Sequence, residues 1–431
     1  MDPILPIFVI IPAAVIYFSF KKRRRWREAL TTLATERSWD LNKGGLFAAA
    51  ELIGFEGFRT IKVTSESRGE NSVATVIKIA SPLIHISGVG KEGFTSGFRK
   101  MVNGEDIQLG IPQVDARWLL QGQERALLAR LGSAAVPVID DFLERGGRVG
   151  DEGVFVSKMG YVTDNAELVQ LVDSALETSR ILDPEHPDDD GHLLINVGAG
   201  PTAHNRRRCF EVIAGAEVRA QAANVLLEDA DAANRMMGAI AVERVDVLLR
   251  LIAGEFSLDF ASRLEAVSAL SRFDMDAARS ALAELATHND AGFEAVLDMA
   301  AEIELVLPLA DLANMAEYGD LAVRRSLSAA LAIHGPAAEA VLISLVGDSD
   351  DAVAVGAARA LTKVGTLAAV HPLMQRSDGI LRGGDIKKAA RDAIATIQLR
   401  HGGSERGGLT LADEEAGGGL AVVADGDDSP G

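Results

Sequence analysis

Several short stretches of the chain bring together residue types that could do chemistry. The run Ser87-Gly88-Val89-Gly90-Lys91-Glu92-Gly93 evokes a phosphate loop, in which backbone N–H groups cradle phosphates, a lysine reaches them and a Ser or Thr holds magnesium. The spacing fails twice: His85 stands where the first glycine belongs, and Glu92 replaces the hydroxyl residue. A turn beside a strand is the better reading, with His85 on the polar face of that strand. Residues 93–97 lack the spacing of a nucleophile elbow, so Ser96 has no motif behind it. His186, Asp188, Asp190 and His192 could gather a divalent cation, but acids clustered in a proline-rich stretch are ordinarily solvated. Gly198-Ala199-Gly200-Pro201-Thr202-Ala203 follows a strand-like run, 192–197, and fits the dinucleotide pattern GxGxxA. Such a site needs an apolar helix next and a second strand with an acidic end some twenty residues on. Here His204-Asn205-Arg206-Arg207-Arg208 follows, and then helix. Cys209, the one cysteine, has no neighbour that would activate a thiolate and reads as a small buried hydrophobe. The sequence therefore assigns no catalytic, cofactor or metal site.

Composition narrows the classes further. The 431 residues carry 43 Lys and Arg against 62 Asp and Glu, a net charge of −19, with 48% hydrophobic residues and only 5% aromatic. The chain is long enough for two or three domains with real cores. Nucleic acid is excluded as a partner, because counterion release needs clustered cations and an acidic chain repels phosphates. A lone cysteine forms no internal disulfide and no zinc site.

Charge is unevenly spread. Residues 3–20 are uncharged and mostly apolar, and at 1.5 Å per residue span roughly 27 Å as helix. Lys21, Lys22, Arg23, Arg24, Arg25, Trp26 and Arg27 follow at once. An apolar run ending in a basic and aromatic flank predicts a single-pass transmembrane anchor at 1–27, with the N-terminus outside and the bulk of the chain cytoplasmic, at the inner membrane if bacterial.

From 28 to 182 the periodicity is that of an α+β domain. A short helix at 26–37 precedes strand-like runs at 58–65, 72–79 and 83–89, read as an antiparallel β-meander. A helical stretch at 115–131, an apolar segment at 136–139, a strand at 154–158 and an amphipathic helix at 165–182 complete it. Residues 183–206, rich in Pro, Gly and Asp, read as a linker.

Beyond that the chain repeats with a period of about 30. Val323, Ala330, Leu331 and Gly335 recur as Val353, Ala360, Leu361 and Gly365, and Ala390, Ala393, Ile394 and Ile397 match Ala357, Ala360, Leu361 and Val364. Asp231, Asp259, Asp290, Asp320, Asp350 and Asp385 stand before successive second helices, where a carboxylate accepts from free N–H groups. Helix pairs of this length, with Asp, then Val, often Arg, then Ala and Leu, resemble HEAT repeats of the short bacterial kind, in the armadillo-like class. The resemblance covers 207–400, about six pairs, and implies an all-α, right-handed solenoid whose second helices line a concave surface. It also implies an Asp–Arg ladder between repeats, which here reads Arg263, Glu294, Arg324, Ala354 and Lys387 and is broken.

Basic residues gather on those second helices: Arg263, Arg272, Arg324, Arg325, Arg359, Lys363, Lys387, Lys388 and Arg391. They predict a cationic groove for protein partners bearing acidic segments. Residues 401–431, with seven acids and one Arg, read as a disordered tail that docks back on the groove or stays in solvent. The expected function is a non-catalytic, membrane-tethered scaffold; the alternative is an enzyme or ligand sensor in 28–182, regulated by the repeats.

Overall fold

In the computed structural model the apolar N-terminal run is not a self-contained segment. One unbroken helix, α1 (Leu5–Arg37), carries it and the basic cluster together. Its C-terminal half is bonded into a protein core: Trp26, Ala29, Leu30, Leu33 and Ala34 are all buried. Among the described residues no helix is long and apolar enough to cross a membrane. The transmembrane anchor at 3–20, the outside N-terminus and the cytoplasmic placement drawn from it are therefore corrected. The charge cluster sits in mid-helix and does not flank a span. Lys21, Lys22, Arg24 and Arg25 are exposed, Arg23 and Arg27 half-buried, and Arg27 donates to the Gly45 carbonyl. Trp26, expected at a lipid interface, is a core residue whose ring lies 6.1 Å from that of Tyr161.

The structure describes residues 5–45, 49–69, 72–81, 85–91, 106–185, 187–287, 292–378 and 383–401, with side chains from Phe20 onward. Ser96, His186, Asp290 and the tail beyond His401 lie outside them. The chain divides into two compact units, Met1–Val242 and Glu243–Gly431.

The first unit is built on an eight-stranded antiparallel sheet in the order β1-β2-β3-β4-β8-β7-β5-β6. The strands are β1 (Asp40–Asn42), β2 (Glu51–Glu56), β3 (Arg59–Ser67), β4 (Val73–Ala80), β5 (Ile86–Lys91), β6 (Trp118–Gly122), β7 (Gly147–Gly150) and β8 (Gly153–Met159). Of the expected meander of 58–65, 72–79 and 83–89, only the pairing of β3 with β4 is present: β1 and β2 precede it unexpected, and β8 and not β5 takes the free edge of β4, pairing Ile77 with Val156. Period-two alternation sends Ile61, Val63, Ile77, Ile79, Val154 and Val156 to the buried face. The opposite face carries a row of Lys62, Lys78, Phe155 and Arg148, paired in register across four strands. Lys78 and Arg148 lie 5.3 and 5.5 Å from the centre of the Phe155 ring.

The stretch 115–131, read as one helix, is three elements. Helix α2 (Pro112–Asp115) leads into β6, and α3 (Glu124–Arg130) follows. Leu-Leu-Gln at 119–121 has helical propensity, but the open edge of β5 offers a ladder and wins. Gly122, at φ +141° with the His85 carbonyl beside it, turns the chain out of the sheet. Helix α4 (Ala135–Glu144) precedes β7, and α5 (Asn165–Leu182) spans the residues its pattern predicted, N-capped by Asp164.

The C-terminus of α5 is where the sheet and the helices are fastened. Buried Arg59 of β3 donates to Ser179 Oγ at 3.0 Å and to the Asp183 carbonyl, and buried Arg130 of α3 donates to the Leu182 carbonyl. The Ser81 hydroxyl donates to the Asp183 carboxylate. A helix end leaves its last carbonyls without partners, and here two guanidinium groups supply them.

Residues 183–206, expected as a linker, are largely helical. Asp188 caps α6 (Asp189–Ala199), which contains the run 192–197 that had read as strand, and Thr202 caps α7 (Ala203–Glu211). With α8 (Ala216–Leu226) and α9 (Ala232–Ala241) they belong to the first unit: Leu193, Val197, Cys209, Phe210, Ala222 and Leu226 join its core. Asn196 and Asn205 donate to carbonyls of Leu128 and Leu109, replacing what a flexible linker would give to water.

The second unit is helical throughout its described residues: α10 (Val245–Ile252), α11 (Phe260–Ser271), α12 (Met275–Thr287), α13 (Phe293–Glu302), α14 (Leu309–Tyr318), α15 (Leu321–Ala332), α16 (Glu339–Val346), α17 (Asp351–Val364), α18 (Val370–Ser377) and α19 (Gly384–His401). Even-numbered helices pack on the odd-numbered helix that follows, and α11, α13, α15, α17 and α19 pack in sequence on one another. Ala at 330, 357, 358, 360, 390 and 393 is buried, so helix axes approach closely. Asp259, Asp320 and Asp350 accept from the N–H groups of Ser262, Val323 and Val353, each at the start of a second helix.

Replacing Arg130 by Ala should lower stability by about 3 kcal/mol, because the Leu182 carbonyl and the Asp189 carboxylate lose a buried partner. Urea unfolding monitored by circular dichroism checks this against Arg391→Ala, which alters an exposed position and should change stability by less than about 0.5 kcal/mol.

Candidate functional site

The chemistry-bearing motifs of the sequence turn out to be joints. Gly88, Gly90 and Lys91 lie within β5, with Lys91 paired to Glu144, so no loop is left to cradle a phosphate. Gly200 lies at the corner between α6 and α7, where a Cβ would come within 2.6 Å of the Asn196 carbonyl. Asp188 accepts from Gly191 N–H, and Asp190 from Ala214 N–H, Gly215 N–H and Arg125. Burial acts to raise the Asp190 carboxyl, and these donors together hold it below its usual range. Among the described residues no group of three His, Cys, Asp or Glu is placed to hold a metal ion. Cys209 is fully buried, and burial pushes its thiol up to about 12.

Two pairs of consecutive arginines show what the repeat charges do. In the first unit Arg206 grips Asp229 with two bonds of 2.7 Å, and Arg207 reaches Asp231 at 3.3 Å. In the second, Arg324 reaches Asp348 and Arg325 reaches Asp350, both at 2.8 Å. Each pair joins one second helix to an Asp-x-Asp turn before the next, so the ladder is doubled at two joints rather than continuous. Asp229 lies between opposed effects: burial raises its carboxyl, but Arg206, the Asp231 N–H and the Asn234 amide outweigh it and hold it at about 2. Asp350 is likewise held at about 2, mainly by Arg325.

These joints remove Arg324, and half of Arg325, from the groove the sequence expected. Arg263 stands apart, its guanidinium against Gly254 in a separate depression between α10 and α12. Arg272 is exposed at the end of α11, and Lys387, Lys388 and Arg391 lie on α19. Arg325, Arg359 and Lys363 do come together.

They line a 650 Å³ groove along the second-helix layer, walled by α13, α15 and α17. Ala329, Ala332 and Ala360 form its floor with Ser328 and Gly356, and Glu304 is the one acid among the described residues lining it. Arg359 and Lys363 are exposed, and no described ion pair engages either. Ser328 is only 4% exposed, yet its hydroxyl has no hydrogen-bond partner. Gly356 admits this close approach, since a Cβ there would lie 3.2 Å from Ser328 Oγ. Ser328 carries no signal in the sequence, because a serine in a helix ordinarily bonds back to the preceding turn. Two cations without a described ion pair, over an apolar floor, suit an anionic, partly apolar segment. Comparison with family models, curated proteins and solved structures gives no match to the chain.

Two outcomes follow from the titratable groups. The contribution of the Arg206–Asp229 pair is fully present above the ordinary carboxylate range near pH 4 and is lost as pH falls toward 2. With solvent screening it amounts to on the order of 1 kcal/mol, and Arg206→Met should flatten the fall in unfolding midpoint between pH 4 and 2. Cys209 should resist a thiol reagent in the native chain and react at once in denaturant, as read by absorbance of the released thiolate.

Proposed function

We propose that this chain is a non-catalytic protein-binding module, a HEAT-like array of short helix pairs whose groove between α13 and α17 takes an acidic segment of a partner protein. What supports the reading is one observation: among the described residues Arg359 and Lys363 stand without ion pairs over an alanine floor in a chain of net charge −19. In an acidic protein nearly any stray cation can find a carboxylate, and those in the joints do. Leaving two uncompensated in one groove concentrates positive potential there. The three alanines favour a segment whose acids are interrupted by small or aliphatic side chains. Arg325, already paired with Asp350, positions the groove wall and adds charge at one end.

The test is a peptide-display selection on the full chain, with the exposed double substitution R359E/K363E as counter-selection. Recovered peptides should carry net negative charge beside aliphatic residues, and should bind R359E/K363E at least ten-fold more weakly, with affinity falling as salt rises. Peptides without acidic bias, or peptides that bind both chains equally, would overturn the reading. An unchanged unfolding midpoint for R359E/K363E separates lost binding from lost structure.

A further inference from the structure

We infer that the groove has an occupant within the chain itself: the acidic C-terminal segment 402–431, docking through Leu409-Thr410-Leu411-Ala412-Asp413-Glu414-Glu415. The inference rests on the groove reading above and adds its regulation. Three observations carry it.

The first is where the described chain ends. Arg400, in the last turn of α19, donates to the Thr362 carbonyl and, at 3.3 Å, to the Gly365 carbonyl. Thr362 adjoins Lys363, which lines the groove. The segment therefore leaves α19 beside the C-terminal end of α17, at the mouth of the site.

The second is length. Leu409 lies eight positions after His401, and an extended chain spans at most about 26 Å over that distance. From Lys363 back to Gly356 along α17 is about 10 Å. That length suffices for Leu409 to run along the α17 wall from Lys363 to Gly356.

The third is complementarity. Leu409 and Leu411 are spaced by two, the spacing that in an extended segment puts both aliphatic side chains on one side, suited to Ala329, Ala332 and Ala360. Asp413, Glu414 and Glu415 come next and meet Arg359, Lys363 and Arg325. Leu420-Ala421-Val422-Val423 followed by Asp425, Asp427 and Asp428 repeats the arrangement. A tether of this length supplies an effective concentration in the millimolar range, so even weak contact keeps the site closed to a partner of modest affinity.

The probe is a labelled peptide of residues 407–416, read by fluorescence anisotropy. It is added to the native chain and to a full-length chain with D413N, E414Q, E415Q, D425N, D427N and D428N. The neutralised chain should bind the peptide at least ten-fold more tightly than the native chain, and adding R359E/K363E should abolish that binding. Equal binding by native and neutralised chains, still lost with R359E/K363E, overturns the tail as occupant and leaves the groove reading standing. Failure of both chains to bind it, while peptides selected on the groove do bind, also overturns the tail alone. If neither this peptide nor the selected ones bind, both readings fall.

Discussion

The arginine side chain donating to the last carbonyls of a helix is the contact on which both units depend. Arg59 and Arg130 close the end of α5 and Arg400 the end of α17, and Arg235 and Arg376 do the same for the Asp229 and Asp348 carbonyls in the turns that follow α8 and α16. Arg279 does the same for Ile303, at 2.9 Å. A helix end is both short of donors and negative, and a guanidinium answers both needs at once with a planar fork. Because short helices make many ends, a chain of this design must spend many of its cations on itself. The excess of acid over base in the composition is thereby deepened at the surface, since the structural arginines lie half-buried at joints.

That reasoning is what gives Arg359 and Lys363 their meaning. An exposed cation on an ordinary protein carries little information, because a solvated lysine costs nothing. Here the neighbouring arginines Arg206, Arg207, Arg324 and Arg325 are engaged with the Asp-x-Asp turns at 229–231 and 348–350, and Arg359 and Lys363 have no described ion pair. The groove also combines them with a floor of methyl groups. Charge and apolar area in the same place favour a ligand that has both.

Much of the fold was legible because it follows from period and caps. The amphipathic pattern of 165–182 and the aspartates at 259, 320 and 350 mark helix starts that local chemistry enforces. What was not legible depended on pairing at a distance. Nothing near Val73 says that its strand will meet β8 rather than β5, and nothing in Trp118-Leu119-Leu120 outweighs helical propensity until β5 offers an edge. The N-terminal run misled for a related reason: hydropathy registers the apolar residues, not the continuation of the same helix into a core where Trp26 and Leu30 are buried. In the site, Arg325, Arg359 and Lys363 were named from position alone, whereas Arg324 was removed by Asp348, a residue in a turn that carries no repeat signature.

The position of β8 beside β4 bears on the order in which the chain acquires structure. Strands β1 to β4 can zip as they leave the ribosome, but the far edge of β4 stays open until residues near 153 have been made. The hairpin of β5 and β6 waits as well, because β7 joins it to the rest. The second unit has no such delay, for its helices pack chiefly on neighbours close in sequence, and contacts of that kind form quickly. On contact order the slower part of folding belongs to the sheet, whose far strands join sequence-distant partners.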